Sequence, residues 1–202
     1  KYKIKNIETS KPNPMLLEVF NNIFMSIAEQ MGIVLENTAQ SVTIKERLDF
    51  SCAVFDKKGD LIANAPHMPV HLGSMDASVK AIILKNKIIK KGDVYALNAP
   101  YHGGTHLPDI TVIKPIFHPS KDEILFFVAA RGHHTDVGGL TPGSMPPDSR
   151  EIEDEGVYID NFKLVQNGNF KKREISDLLL GAKFPVRPLS KNLADLRAQV
   201  AA

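Results

Sequence analysis

Beginning at Asn13, apolar side chains fall at Leu16, Phe20, Ile23, Ile27, Met31 and Val34, the spacing of one helix face. Asn13 can serve as an N-cap, and Pro14 suits the first helical position, where its missing N–H is not needed. A long helix with its apolar stripe packed into a core is expected. The period then changes. Phe50 to Phe55 reads as a strand, Asp56-Lys-Lys-Gly59 as a turn with glycine at its left-handed position, and Leu61 to Ala65 as the return strand of a hairpin. On the first strand Phe50, Cys52 and Val54 share one face while Asp49, Ser51 and Ala53 share the other. Cys52 is therefore read as a small buried apolar residue, not a nucleophile, and Asp49 points the opposite way.

Asp76 to Ile89 reads as a second helix, with Val79, Ile82, Ile83 and Ile89 on its apolar side and Lys85, Lys87, Lys90 and Lys91 at its solvated end. Val94 to Leu97, Ile110 to Phe117 and Ile124 to Ala130 are rich in branched and aromatic residues and read as strands. Gly132 to Pro147 reads as a Gly/Pro-rich loop, Gly156 to Phe170 as a strand pair turning at Asn167-Gly168, and Asn192 onward as a helix. The expected fold class is α+β: a mixed, largely antiparallel sheet with long packing helices.

Composition narrows the function. The chain has 202 residues, 43% hydrophobic and 24% charged, enough for one substantial core. A net charge of +2 is too small to neutralise a nucleic-acid backbone. The apolar runs fall short of the roughly 20 residues that span a bilayer. No nucleic acid and no membrane are expected as partners. The single cysteine excludes an internal disulfide and a cysteine-based zinc site, which makes the cytoplasm the expected compartment. Residue 1 is Lys, and Asn192 to Ala202 is a helix-forming run with no stop signal after it, so the 202 residues are read as a piece of a longer protein.

All seven histidines lie between positions 67 and 134. Two open His-x-x-Asp sequences, His106-Leu-Pro-Asp109 and His133-His-Thr-Asp136, where chance alone gives about one. Glycines flank both, Gly103-Gly104 before the first and Gly138-Gly139 after the second, and glycine lets a ligand approach the backbone closely. Pro108 argues against a helix, so His106 and Asp109 should converge from a bent loop. Imidazoles and carboxylates without thiolates suit a divalent metal such as Mn, Zn or Fe, although such histidines can equally cap loops and satisfy buried carbonyls. His67-Met-Pro-Val-His71 ranks below them, because Pro69 argues against helical geometry there. Phosphate loops, the Gly-x-Ser-x-Gly elbow and His-Glu-x-x-His are missing, so any nucleotide must be handled elsewhere.

Several long blocks carry a resemblance: FMSIAEQMG (24 to 32), IKERLDFSCAVF (44 to 55), NAPHMPVHLGSM (64 to 75), APYHGGTHLPDITV (99 to 112), RGHHTDVGGLTPGSMPP (131 to 147), EDEGVYI (153 to 159), FKLVQNG (162 to 168) and NLADLRAQVAA (192 to 202). In this order they resemble the hydantoinase B/5-oxoprolinase family over nearly the whole chain. The wording of the first two and of GSMPP is nearer the 5-oxoprolinase branch than the carboxylase branch. The resemblance implies that residues 1–202 form the N-terminal part of a hydantoinase B-like domain. It also implies an oligomeric, two-part machine, in which a hydantoinase A-like ATPase subunit or domain uses ATP to phosphorylate a lactam substrate that this part then opens.

Carried over, the metal ligands would fall on Asp49, His106, Asp109 and His133, with His134 and Asp136 beside them to orient a ligand or move a proton. Arg131 and Arg47 are candidate anion partners, and His67 and His71 complete the candidate substrate-binding set. Two other roles stay open: a component of an ATP-dependent acetone- or acetophenone-type carboxylase, and a non-catalytic, truncated fragment that binds a partner.

Overall fold

The computed structural model describes residues 13–143 and 146–202, with the side chain of Leu72 set aside. Helix α1 (Pro14–Thr38) and a single turn α2 (Val42–Lys45) lead into the hairpin of β1 (Phe50–Asp56) and β2 (Leu61–Asn64). Helix α3 (Pro69–Lys85) and β3 (Val94–Leu97) follow, then a 3₁₀ turn at Pro100–His102 and the long pair β4 (Asp109–Phe117) and β5 (Ile124–His133). A short α4 (Ile152–Glu155), the small hairpin β6 (Phe162–Gln166) and β7 (Asn169–Phe170), and helices α5 (Lys172–Leu180) and α6 (Leu189–Ala201) complete the chain. The strands form one seven-stranded sheet in the order β2-β1-β5-β4-β3-β6-β7, every neighbouring pair antiparallel. The expected α+β class with a largely antiparallel sheet is what the chain adopts.

Side-chain alternation splits the core between the two sheet faces. Phe50, Cys52, Val54, Val128 and Ala130 face α1 and the end of α6, and this layer continues under α5 and α6 through Ala96, Val112 and Leu164. Ala53, Phe55, Tyr95, Ile113, Phe127 and Ala129 face α3, which answers with Met75, Val79 and Ile82. Cys52 is fully buried as expected, and burial pushes its thiol up to about 12. Both turns read from the sequence are present, with Gly59 at φ 88 and the Asn167-Gly168 pair at φ 50 and 81.

The structure corrects four readings. The first helix has its Asn13 cap, accepting from the Met15 N–H at 3.0 Å, and its Pro14, but only the C-terminal half of its stripe is core. Ala28, Met31, Gly32 and Leu35 are buried, whereas Leu16, Phe20 and Ile23 are 54%, 54% and 47% exposed. Amphipathic spacing shows that a helix has an apolar side, not that a partner covers it. The second helix begins at Pro69, not Asp76, because proline is well tolerated in a first turn, and it ends at Lys85. The third strand of the branched group runs on to His133, past Ala130. The strand pair expected from Gly156 is regular only from Phe162, and helix α5, with Ile175 and Leu179 buried one turn apart, adds an element to those expected. No helix among the described residues is long and apolar enough to cross a membrane.

Candidate metal centre

Strand register brings the centre together. On the face covered by α3, the central row of Ala53, Ala129 and Ile113 is apolar. The next row is polar, with Ser51 opposite Arg131 and Arg131 opposite Thr111. At the end of the sheet Asp109 pairs with His133, and the His133 N–H donates to the Asp49 carbonyl at 3.0 Å. Asp49 enters β1 while Asp109 enters β4 and His133 leaves β5, so antiparallel pairing puts all three at one end. Leu48, just before Asp49, adopts φ 55, a left-handed conformation that a branched side chain rarely takes.

The 3₁₀ turn and its glycines add His106. Gly103 has φ 93, and a Cβ there would lie 2.5 Å from the Ala77 carbonyl carbon and the Ser78 nitrogen, so only glycine lets this loop lie against α3. The chain then bends back through Pro108. His106 Nδ1 lies 2.9 Å from Asp109 Oδ2, the convergence expected of a bent loop. Asp109 Oδ1 lies 3.1 Å from His133 Nδ1, and the Thr105 hydroxyl donates to Asp109 Oδ2 at 2.8 Å. One ligand atom each from His106, Asp109 and His133 falls within 4.8 Å of the others. Asp49 reaches the same cluster, its Oδ2 3.9 Å from His133 Nδ1.

His71, in the first turn of α3, completes the ring. Its Nε2 lies 3.5 Å from Asp49 Oδ1 and 3.6 Å from Asp109 Oδ2. Its Nδ1 lies 3.3 Å from Ser51 Oγ, whose one proton goes to the Met68 carbonyl at 3.0 Å. Ser51 can therefore only accept from His71, which puts the imidazole proton on Nδ1 and turns the Nε2 lone pair toward two carboxylates. Burial lowers the His71 pKa against the pull of Asp109 and Asp49, and so favours that neutral ring. A lone pair facing two carboxylates is a repulsive arrangement that a cation between them would reverse. Burial alone would raise the Asp109 carboxyl, but hydrogen bonds from His106 and His133 hold it far below the usual carboxylate range. The bond to Asp109 correspondingly raises the His106 pKa.

Other expected site residues lie elsewhere. Arg131 is fully buried beneath the centre, and all five of its donors are engaged: with Thr111 Oγ1, the His71 carbonyl, Ser74 Oγ, Ser78 Oγ and the Gly103 carbonyl. Its place is internal, tying the first turns of α3 to β4 and to the glycine loop, and no donor is left for a substrate anion. Burial lowers its pKa to about 10, partly offset by Asp109. His134 follows His133 but points to the opposite face, its ring nitrogens each 3.0 Å from the amide oxygens of Asn192 and Gln199 on α6. Asp136 accepts from the Gly138 and Gly143 N–H groups and meets Arg187 at 3.2 Å. Neither residue touches the ring of His71, His106, His133, Asp49 and Asp109 through any hydrogen bond or ion pair among the described residues.

Two clefts border the centre. One of about 300 Å³ opens directly on His106, with Tyr101, Thr105 and Arg150 among its walls. A second, of about 500 Å³, holds Arg47 and His67 and is walled by Leu48 and Phe50, the two neighbours of Asp49.

Residues 13–202 match the family model described as hydantoinase B/oxoprolinase. A 5-oxoprolinase of Arabidopsis thaliana is 51% identical over 195 residues, covering 92% of this chain and 15% of that protein. The crystal structure of an ATP-dependent caprolactamase from Pseudomonas jessenii superposes with a TM-score of 0.81 at 30% identity, over 95% of this chain and 32% of that one. Acetone carboxylase in its nucleotide-free form superposes with a TM-score of 0.80 at 21% identity, over 94% of this chain and 24% of that one, a likeness of fold. The chain thus spans less than a third of the length of each of these relatives.

Proposed function

The chain belongs to the hydantoinase B/oxoprolinase family, and from that premise we propose that it is the metal-holding component of an ATP-dependent cyclic-amide hydrolase. The substrate is 5-oxoproline or a hydantoin-like lactam, activated by a hydantoinase A-like ATPase partner. The observation that carries this reading is the ring of two carboxylates and three imidazoles at one end of the sheet. Burying a carboxylate without a partner costs several kcal/mol, so drawing Asp49 and Asp109 together around facing imidazoles favours a cation among them. Asp49, His106, Asp109 and His133 would hold it, with the Nε2 lone pair of His71 as a further donor. Mn, Zn or Fe fits this oxygen and nitrogen set. Bound there, such an ion would act as a Lewis acid on an oxygen of the substrate.

A lactam resists hydrolysis because its nitrogen donates into the carbonyl. Phosphorylation of the amide oxygen by the partner removes that protection and leaves a ring carbon open to attack. This chain's residues then have defined tasks. Thr105 fixes the Asp109 carboxylate, Ser51 fixes the His71 tautomer, and Arg131 holds His71 and the glycine loop in place from beneath. Arg150, on the wall of the cleft that opens on His106, supplies a guanidinium for an anionic group of the substrate.

Elemental analysis of the purified protein, followed by ATP turnover with the ATPase partner, tests the proposal. Bound divalent metal and turnover that depends on 5-oxoproline or a hydantoin are expected. Turnover dependent on a ketone and bicarbonate would establish the carboxylase role instead. No retained metal and no turnover with either substrate class would leave partner binding as the function.

A further inference from the structure

The last step of the ladder between β1 and β5 is half open, and a residue from outside the sheet fills the gap. Phe50 pairs with Gly132, so Asp49 and His133 stand opposite each other one step further along. In a hydrogen-bonded antiparallel pair the two residues exchange both N–H···O=C bonds. Here one of them forms, from the His133 N–H to the Asp49 carbonyl at 3.0 Å. The Asp49 N–H, which follows the left-handed Leu48 at φ 55, donates instead to the Thr43 carbonyl at 2.9 Å. Its place at the His133 carbonyl is taken by the Thr43 hydroxyl, which donates there at 2.5 Å. The three residues close a cycle: Thr43 donates to His133, His133 to Asp49, and Asp49 back to Thr43.

Thr43 is itself held in place. It lies in the single turn α2, whose Ser41 cap accepts from the Ile44 N–H at 3.4 Å. The Gln40 and Ser41 N–H groups both donate to Oδ1 of the buried Asp195 on α6, at 2.7 and 3.1 Å. Ile44 is fully buried and lies over Gly132, where an added Cβ would come within 2.9 Å of Ile44 Cδ1. The turn therefore presses onto β5 one residue before His133. Because the Thr43 proton is spent on His133, its oxygen can only accept from the Thr135 hydroxyl, 3.3 Å away.

We infer that Thr43 is a positioning residue for the metal centre, a role that rests on the centre proposed above. A regular ladder step would need neither a turn of helix nor a hydroxyl. Opened by Thr43, it joins the backbones of Asp49 and His133 while their side chains stay apart, with Asp49 Oδ2 3.9 Å from His133 Nδ1. That separation is wider than the hydrogen bond that would otherwise join carboxylate to imidazole and compete with a cation for both. Thr43 touches neither side chain through a hydrogen bond, and it acts through the backbone of both.

Cobalt(II) titration of the metal-free protein, followed by visible absorption, tests this together with amide hydrogen exchange at His133 in the presence of a chelator. Thr43→Val keeps the side-chain shape and removes the hydroxyl. It should weaken cobalt binding about tenfold and shift the absorption bands. It should also speed His133 exchange about fivefold relative to the buried Tyr95 amide of β3. Thr43→Ser restores the hydroxyl and should return affinity, bands and exchange rate to those of wild type. Wild-type cobalt affinity and spectrum in Thr43→Val, wild-type His133 exchange in that variant, or a Thr43→Ser protein that behaves like Thr43→Val overturns the inference. Wild type that takes up no cobalt sinks the metal centre instead, and the exchange comparison then decides alone whether Thr43 holds the two strand ends together.

Discussion

Two stretches of this chain share one pattern, His-x-x-Asp beside paired glycines, and the fold uses them in opposite ways. In His106-Leu-Pro-Asp109 the chain bends at Pro108 and the two side chains meet at 2.9 Å. In His133-His-Thr-Asp136 the chain leaves a strand. His133 reaches across to Asp109 at 3.1 Å, His134 turns to α6, and Asp136 closes its own loop with Arg187 and two backbone N–H groups. Residue spacing therefore says little until the backbone between the residues is known. A bent loop folds the first and fourth residues together, whereas an extended one separates them by about 10 Å.

Swapping the acid in each stretch is the strongest way to break this contrast. Asp109→Asn should abolish metal retention, while Asp136→Asn should keep full metal content and lose about 1 kcal/mol of stability, since Arg187 is 43% exposed and keeps the Gly139 and Thr141 carbonyls as acceptors. Elemental analysis alongside denaturant unfolding reads both, and metal loss from Asp136→Asn would refute the contrast. The residue beneath the centre gives the next effect. Arg131→Met, which leaves the Thr111, Ser74 and Ser78 hydroxyls and the Gly103 carbonyl without their donor, should cost about 3 kcal/mol and weaken metal affinity roughly tenfold. Unchanged metal affinity would show that the glycine loop and His71 hold their places without it.

The smallest effect is electrostatic and concerns the metal-free protein. The bond to Asp109 raises the His106 pKa above its ordinary 6.5, so its stabilisation is complete below that value and fades as pH rises through the raised one. Asp109, held below its ordinary 3.8 by its imidazole partners against the effect of burial, keeps its contribution above that value and loses it as pH falls further. In the presence of a chelator, the stability difference between wild type and His106→Gln should therefore be greatest between about pH 4 and 6.5, on the order of 1 kcal/mol for a partly exposed pair. Thermal melts across pH 3 to 9 check this, and a difference that grows toward alkaline pH would reverse the assignment.

Much of the frame was legible because it rests on local rules. Alternation in β1 sorted Cys52 from Asp49, Gly59 and Asn167-Gly168 marked their turns, and Pro108 foretold the bend that joins His106 to Asp109. Pro69 misled, since the same residue that breaks a helix interior can begin one. That error left His71 among the substrate-binding candidates, whereas it sits in the first turn of α3 and faces the two carboxylates of the centre. Arg131 misled for another reason: a guanidinium on a strand looks free until the neutral acceptors of α3 and the glycine loop close around it. The stripe of α1 was read correctly as a helix and wrongly as core, because periodicity reports the side chain and not its neighbour.

By itself the sequence determined the kinds of element, the two tight turns, the bend in the glycine-flanked histidine loop, and membership of a family with a shared chain of motifs. Only the tertiary structure decided that Asp49, His71, Asp109 and His133 share one end of a sheet, that Arg131 lies beneath them, and that His134 and Asp136 do not join them. Local conformation depends on a residue and its near neighbours. A centre built from strand ends depends on the register of pairing between segments far apart in the chain, and a shift of one residue would turn its carboxylates to the other face.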